Sequence, residues 1–74
     1  ICKPGSILKT KNDYYALTWP LNSERYNLKL YEKGSVLFVY DFISPHYFMK
    51  DSSGYAFMIS LNDRSLKHIF FILV

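Results

Sequence analysis

Apolar and polar residues alternate along much of this chain, which is the pattern of β-strands. In residues 26–32 every second side chain is apolar, as in a strand with one buried face. This alternation predicts inward side chains at Tyr26, Leu28 and Leu30, and outward side chains at Asn27, Lys29 and Tyr31. The segment is therefore expected to cover one side of a core with its leucines.

Further strands follow from the same reasoning, each bounded by turn-forming residues. Residues 14–19 alternate between two faces, and Pro20 ends them because proline cannot donate to a strand ladder. Residues 36–42 are apolar on both faces, which suits a central strand covered on both sides. The other predicted strands begin at Ile7, run through residues 46–50 and 55–61 with the turn "DSSG" between them, and cover residues 71–74.

One segment has helical spacing instead. Leu66, Ile69 and Phe70 recur at helical intervals after Asn62 and Asp63, either of which can cap a helix. The segment is short, so it predicts a single 3₁₀ or α turn before the last strand. With five or six strands and a turn every eight to twelve residues, the chain is expected to be all-β, a small barrel or sandwich.

A short phrase occurs twice, 29 residues apart. It stands in "KPGSILKT", residues 3–10, and in "EKGSVLFVYDF", residues 32–42. Two copies cannot stack into a solenoid, so the repeat predicts one local device used twice. Glycine bends the entry to a strand, serine hydrogen-bonds the turn, and apolar residues continue as the strand.

Length and composition predict one folded domain spanning residues 1–74. Half of the residues are hydrophobic and 19% are aromatic, which favours a packed core over disorder. Cys2 is alone, so no intramolecular disulfide is possible, and a reducing cytoplasmic location is expected. No signal peptide is expected, and the longest apolar run is far below the roughly 20 residues of a membrane span, so no membrane partner is expected.

The formal net charge of +3 comes from one end of the chain. Lys3, Lys9 and Lys11 carry it, since the charges from Asp13 onward sum to zero. Such a patch either keeps an edge strand soluble or contacts the phosphates of DNA or RNA, and the sequence leaves both open.

The order of the elements resembles SH3-like barrels. A first strand at "GSILKT", a glycine-led strand at "KGSVLFVYDF", a hairpin through "DSSG" and a helical turn before a terminal strand are similar to the SH3-like and KOW group. The composition, rich in Lys, Tyr, Phe, Ile and Asn, resembles small accessory proteins of tailed phages, which implies host cytoplasm. The acidic loop of peptide-binding SH3 domains is missing, so the resemblance implies a fold more than a proline-rich ligand.

Catalytic signatures are weak throughout. His46 and His68 are 22 residues apart, no G-x-S-x-G elbow occurs, and the three glycines are isolated. We therefore expect no enzyme activity, no metal and no cofactor.

Aromatic residues are the most informative candidates for a site. Tyrosine, tryptophan and arginine are enriched at protein interfaces, and a small domain without chemistry acts by occupying a surface. The leading hypothesis is a binding module that blocks or redirects a larger protein through Tyr14, Tyr15, Trp19, Tyr31 and Tyr47, with Arg25 at the rim.

Two alternatives stay open. Lys3, Lys9 and Lys11 with nearby tyrosines would bind nucleic acid by phosphate contact and base stacking. The β-prone run "IFFILV", from Ile69 to Val74, would pair with another chain if it were an exposed edge.

Overall fold

The computed structural model describes residues 2–20 and 25–73, which form seven strands and one helix. In chain order these are β1 (Ile7–Thr10), β2 (Tyr14–Pro20), β3 (Asn27–Tyr31), β4 (Val36–Ile43), β5 (His46–Lys50), β6 (Tyr55–Ile59), α1 (Asp63–Ile69) and β7 (Phe70–Ile72). The all-β prediction is confirmed. The predicted loop after Pro20 falls mostly on residues 21–24, which lie outside the described residues.

All strands belong to one antiparallel sheet that curls into a half-barrel. Their order is β3-β2-β6-β5-β4-β1-β7. The prediction of five or six strands was wrong, because all seven segments of strand character, including the short β1 and β7, pair within the sheet. The core lies on the concave side, where the most deeply buried apolar side chains are Leu8, Leu37, Val39, Met49, Phe57, Leu66 and Phe70.

The repeated Gly-Ser phrase forms the same turn twice. Gly5 and Gly34 have φ values of +94° and +90°, a backbone region that glycine enters without strain. In each turn the serine N–H donates three residues back, from Ser6 to the Lys3 carbonyl and from Ser35 to the Glu32 carbonyl. The predicted turn device is confirmed at both places.

These two copies then pair with each other. Leu8 of β1 lies opposite Leu37 of β4, and both side chains have no exposed surface. The Gly5 N–H donates to the Val39 carbonyl at 2.8 Å, and the Gly34 N–H donates to the Thr10 carbonyl at 3.0 Å. A local two-fold relation therefore centres on the two leucines. The repeat has a structural role, since it pairs β1 with β4 and buries Leu8 and Leu37 in the core.

Helix α1 is longer than the predicted single turn. Its seven residues make about two turns, and Asn62 caps it by accepting a hydrogen bond from the Ser65 N–H at 2.8 Å. Leu66 is fully buried, and β7 starts directly at Phe70. Among the described residues, no helix has the length and apolarity that a membrane span requires.

Two hairpins follow β4, and the second of them, through residues 51–54, was predicted. A cis peptide bond joins Ser44 and Pro45 between β4 and β5. Residues 51–54 connect β5 to β6, and the Asp51 N–H donates to the Tyr55 carbonyl at 2.9 Å. The turn after β5 thereby holds Asp51 at the edge of the core, where it is 9% exposed.

Strand β3 has the predicted alternation but the opposite orientation. Tyr31 is 4% exposed, whereas Leu28 and Leu30 are 70% and 39% exposed. Tyr26, which precedes the strand, is also on the outside at 62%. The inward assignment of the leucines was wrong, because Asp51 on the inner side of the sheet accepts hydrogen bonds from Tyr31 and Lys29.

A candidate protein-binding face

Four large apolar side chains lie together on the outer face of the β2–β3 hairpin. Tyr15 is paired with Leu30 and Leu17 with Leu28, so their side chains form two adjacent rows. Tyr15 and Leu17 are 64% and 59% exposed, like the leucines opposite them. We call these four residues the hairpin face; it contains no charged side chain.

An apolar pocket continues this surface toward β6 and β5. Its volume is about 390 Å³. Trp19 and Tyr26 form one wall, with their rings in edge contact at 5.4 Å between centroids. We call it the aromatic pocket, and it is lined by Leu17, Trp19, Tyr26, Phe48 and Met58. A flat apolar face therefore borders a concavity that can receive a side chain.

The combined surface is large for so small a protein. Six of its members are 39% to 70% exposed, namely Tyr15, Leu17, Tyr26, Leu28, Leu30 and Met58. An aromatic side chain covers roughly 150–250 Å² and an aliphatic one somewhat less, so at these exposures the six residues expose on the order of 600 Å². The largest apolar patch of a typical monomer covers roughly 300–600 Å² and is often functional. The patch therefore requires an explanation beyond scattered surface residues.

Asp51 anchors the opposite, inward side of β3. Its Oδ2 accepts hydrogen bonds from Lys29 Nζ at 2.6 Å and from the Tyr31 hydroxyl at 2.8 Å. Its Oδ1 accepts from the backbone N–H groups of Ser53 at 2.8 Å and Tyr55 at 3.1 Å. The carboxylate thus connects β3 to the β5–β6 turn, and we call Lys29, Tyr31 and Asp51 the latch.

The electrostatics of the latch favour its ionised form. Burial acts to raise the pKa of Asp51, but the hydrogen bonds from Lys29, Tyr31, Tyr55 and Ser53 outweigh it and leave that pKa below its usual value. Burial, followed by the bond to Asp51 and its negative charge, raises the pKa of Tyr31. The Lys29 ammonium also lies 4.5 Å from the ring centre of Tyr55, so its charge has two stabilising partners.

This latch explains why the leucines of β3 face solvent. Successive side chains of a strand point to opposite faces, so drawing Lys29 and Tyr31 inward places Leu28 and Leu30 outward. No buried side-chain nitrogen or oxygen among the described residues lacks a hydrogen-bond partner. The polar interior is satisfied, and the exposed face follows from it.

Half of the predicted binding residues lie near this face. Tyr15 belongs to it and Trp19 lines its pocket, while Arg25 is exposed just before Tyr26. The contributors that the sequence reasoning missed are Leu17, Tyr26, Leu28, Leu30, Phe48 and Met58. Their apolar character indicated core, and no local signal distinguished them from core residues.

The other three predicted tyrosines face the interior. The binding hypothesis requires Tyr31 and Tyr47 at the surface, and this placement was wrong, since they are 4% and 3% exposed. Tyr47 packs against Phe42 at 4.6 Å between ring centres, inside the β4–β5 pair. Tyr14 is half-buried between Phe57 and Phe70, and this burial raises its pKa.

The three N-terminal lysines flank and occupy β1, away from the hairpin face. Lys3 lies in the turn before this strand and Lys9 within it, both exposed. Lys11 Nζ donates to the Lys67 carbonyl and lies 4.9 Å from the ring centre of Phe71. The Lys11 ammonium is therefore engaged with the end of α1 and with β7.

Groups with catalytic potential are sparse in the part of the chain that the structure describes. His46 Nδ1 lies 2.5 Å from Ser60 Oγ at an exposed position. No group of three His, Cys, Asp or Glu side chains within residues 2–20 and 25–73 could hold a metal ion.

Comparison with known proteins adds no relative. No protein-family model matches the chain, and neither curated proteins nor solved structures gave a match.

Proposed function

We propose that this protein is a non-catalytic binding module that covers an apolar surface of a larger protein with its hairpin face and aromatic pocket. The observation that carries the proposal is the paired exposure of Leu17 and Leu28, 59% and 70%, at the centre of an uncharged face. Burying apolar area is the main favourable term in protein association, so this face is where binding gains most.

The latch supports the proposal because it fixes the face before any partner arrives. Lys29 and Tyr31 are both bonded to Asp51, so β3 does not have to be ordered on binding. A preorganised surface loses less conformational entropy on association than a mobile one. Trp19 and Tyr26 add a rigid aromatic wall of the kind that anchors interfaces.

The finer identity of the fold is also part of the proposal. An SH3-like barrel is supported by helix α1, which directly precedes the last strand, and by the glycine-led entries to β1 and β4. An accessory or inhibitor role, as in the small phage proteins that the chain resembles, fits a domain that acts by occluding a host protein's surface. Such a role places the protein in the host cytoplasm.

Affinity capture tests this proposal. Tagged wild-type protein is compared with Leu17→Lys, which puts a charge at the centre of the hairpin face, and with Leu73→Lys as a matched control. Leu73 is 53% exposed beyond β7, at the other edge of the sheet. We expect wild type and Leu73→Lys to recover the same stoichiometric protein, and Leu17→Lys to lose it.

A nuclease arm decides between protein and nucleic acid. A protein partner survives nuclease treatment and is insensitive to replacement of Lys3 and Lys9. Recovery that disappears with nuclease and falls steeply with salt contradicts the proposal and favours the phosphate-binding alternative.

A further inference from the structure

A protruding side chain and a pocket of matching chemistry lie side by side on one face of this protein. Leu28 is the most exposed of the large apolar side chains that the structure describes, at 70%. It pairs with Leu17, which itself forms a wall of the aromatic pocket. Protrusion and pocket are thus neighbours on the same outer surface.

We infer that, without another partner, a second copy of this chain covers the face. The Leu28 side chain of each protomer occupies the aromatic pocket of the other about a two-fold axis near Leu17. Because protrusion and pocket share one face, the contact is self-complementary and closes as a dimer. A pocket elsewhere on the molecule would instead build a ring or an open filament.

The area agrees with a dimer. Two copies that each cover on the order of 600 Å² bury roughly 1,200 Å², the lower end of stable, specific interfaces. The estimate predicts a dimer of modest affinity, one that another protein can displace from the same face.

The charge distribution allows the two faces to meet. The one charged side chain within β3, Lys29, points inward and is paired with Asp51 at 2.6 Å. The excess positive charge sits on and beside β1, which β6, β5 and β4 separate from β2 in the sheet. None of Lys3, Lys9 and Lys11 belongs to the hairpin face or lines the aromatic pocket, so the contact does not bury their charges.

The other edge of the sheet is a less suitable dimer contact. Strand β7 has only three residues, and Lys11 covers the ring of Phe71 at 4.9 Å. Short strands and nearby lysines are the usual protections of an edge against pairing. This comparison assigns self-association to the hairpin face rather than to the apolar run that begins at Ile69.

Sedimentation of the full chain over a range of concentrations tests the inference. We expect a monomer–dimer equilibrium for the wild type and for Leu73→Lys. Leu28→Lys and Met58→Lys, which alter the protrusion and the pocket separately, are expected to be monomeric. Circular dichroism of each variant confirms that it is folded, and the two independent variants keep the test valid if one is not.

Two results would overturn the inference. One is a wild-type chain that stays monomeric at ~1 mM, where even a millimolar dissociation constant is visible. The other is a dimer lost in Leu73→Lys but kept in Leu28→Lys, which would assign the contact to β7. A monomer that still captures a partner would reject the dimer while leaving the proposed function intact.

Discussion

Leu17 and Leu28 lie directly opposite each other on β2 and β3, and both side chains are more than half exposed to solvent. Between β1 and β4, Leu8 and Leu37 are also a directly opposed leucine pair, but both are completely buried. A leucine pair across two strands thus belongs to the core in one place and to the surface in the other. Substitutions at the two pairs should therefore differ in their effect on stability, and this difference tests the orientation of β3.

Leucine truncation should have opposite consequences at the two pairs. Leu37→Ala should destabilise the protein by about 3 kcal/mol, because it leaves a cavity in a fully buried site. Leu28→Ala should change the unfolding free energy by less than about 1 kcal/mol, as exposed substitutions usually do. Urea denaturation of dilute protein measures both. A larger loss for Leu28→Ala than for Leu37→Ala would place Leu28 in the core.

Removing the Asp51 carboxylate of the latch should lower the free energy of unfolding substantially. Asp51→Ala leaves Lys29 and Tyr31 without their acceptor, and breaking a buried, charged hydrogen-bond pair costs about 2–4 kcal/mol. Asp41→Asn is the matched control, since Asp41 is exposed and should change stability by less than about 0.5 kcal/mol. Equal stabilities of the two variants would show that the latch does not hold β3.

Acid should weaken the latch, because protonation of Asp51 removes its contribution to stability. Because the folded-state pKa of Asp51 is lowered, its contribution is present above the unfolded-state pKa of about 3.9 and is lost as pH falls through the folded-state pKa. The wild type should therefore lose stability below about pH 4 more steeply than Asp51→Asn. Parallel pH profiles of the two proteins, measured by thermal unfolding, would contradict this origin of the acid sensitivity.

Replacing Gly34, the glycine of the turn before β4, should destabilise the protein. Gly34 has a φ of +90°, and Gly34→Ala should cost about 1–2 kcal/mol because a Cβ atom strains this conformation. Gly34→Asn should cost less, since asparagine enters positive φ more readily than alanine. Denaturation midpoints compare the two variants. Equal costs would contradict backbone strain as the cause, since the nearest atom to an added Cβ is the Lys9 Cε at 3.6 Å, an ordinary contact.

The sequence predicted the local elements well because their causes are local. Gly5 and Gly34 impose their turns through their own backbone freedom, and Pro20 and Pro45 lie at strand ends for the reason proline always does. The hairpin between β5 and β6 was visible from a glycine between two aromatic runs. In each case the deciding residues are within a few positions of the feature.

What the sequence could not predict depends on contacts between distant residues. Alternation in β3 shows that two faces differ, but not which of them meets the core. Asp51, 20 residues after Tyr31, determines the inner face of β3 by accepting hydrogen bonds from the Tyr31 hydroxyl and the Lys29 ammonium. The leucines of the candidate face were missed for the same reason, because an exposed leucine and a buried one are identical in the sequence.

Photo-cross-linking tests the central claim that the hairpin face is the binding surface. A photoreactive phenylalanine analogue replaces Leu28 in one variant and Leu73 in another, and both are irradiated in cell extract. The account predicts an adduct with a second protein, with a mass distinct from two copies of this chain, from position 28 and none from position 73. Adducts from position 73 alone, or adducts only with nucleic acid, would contradict it.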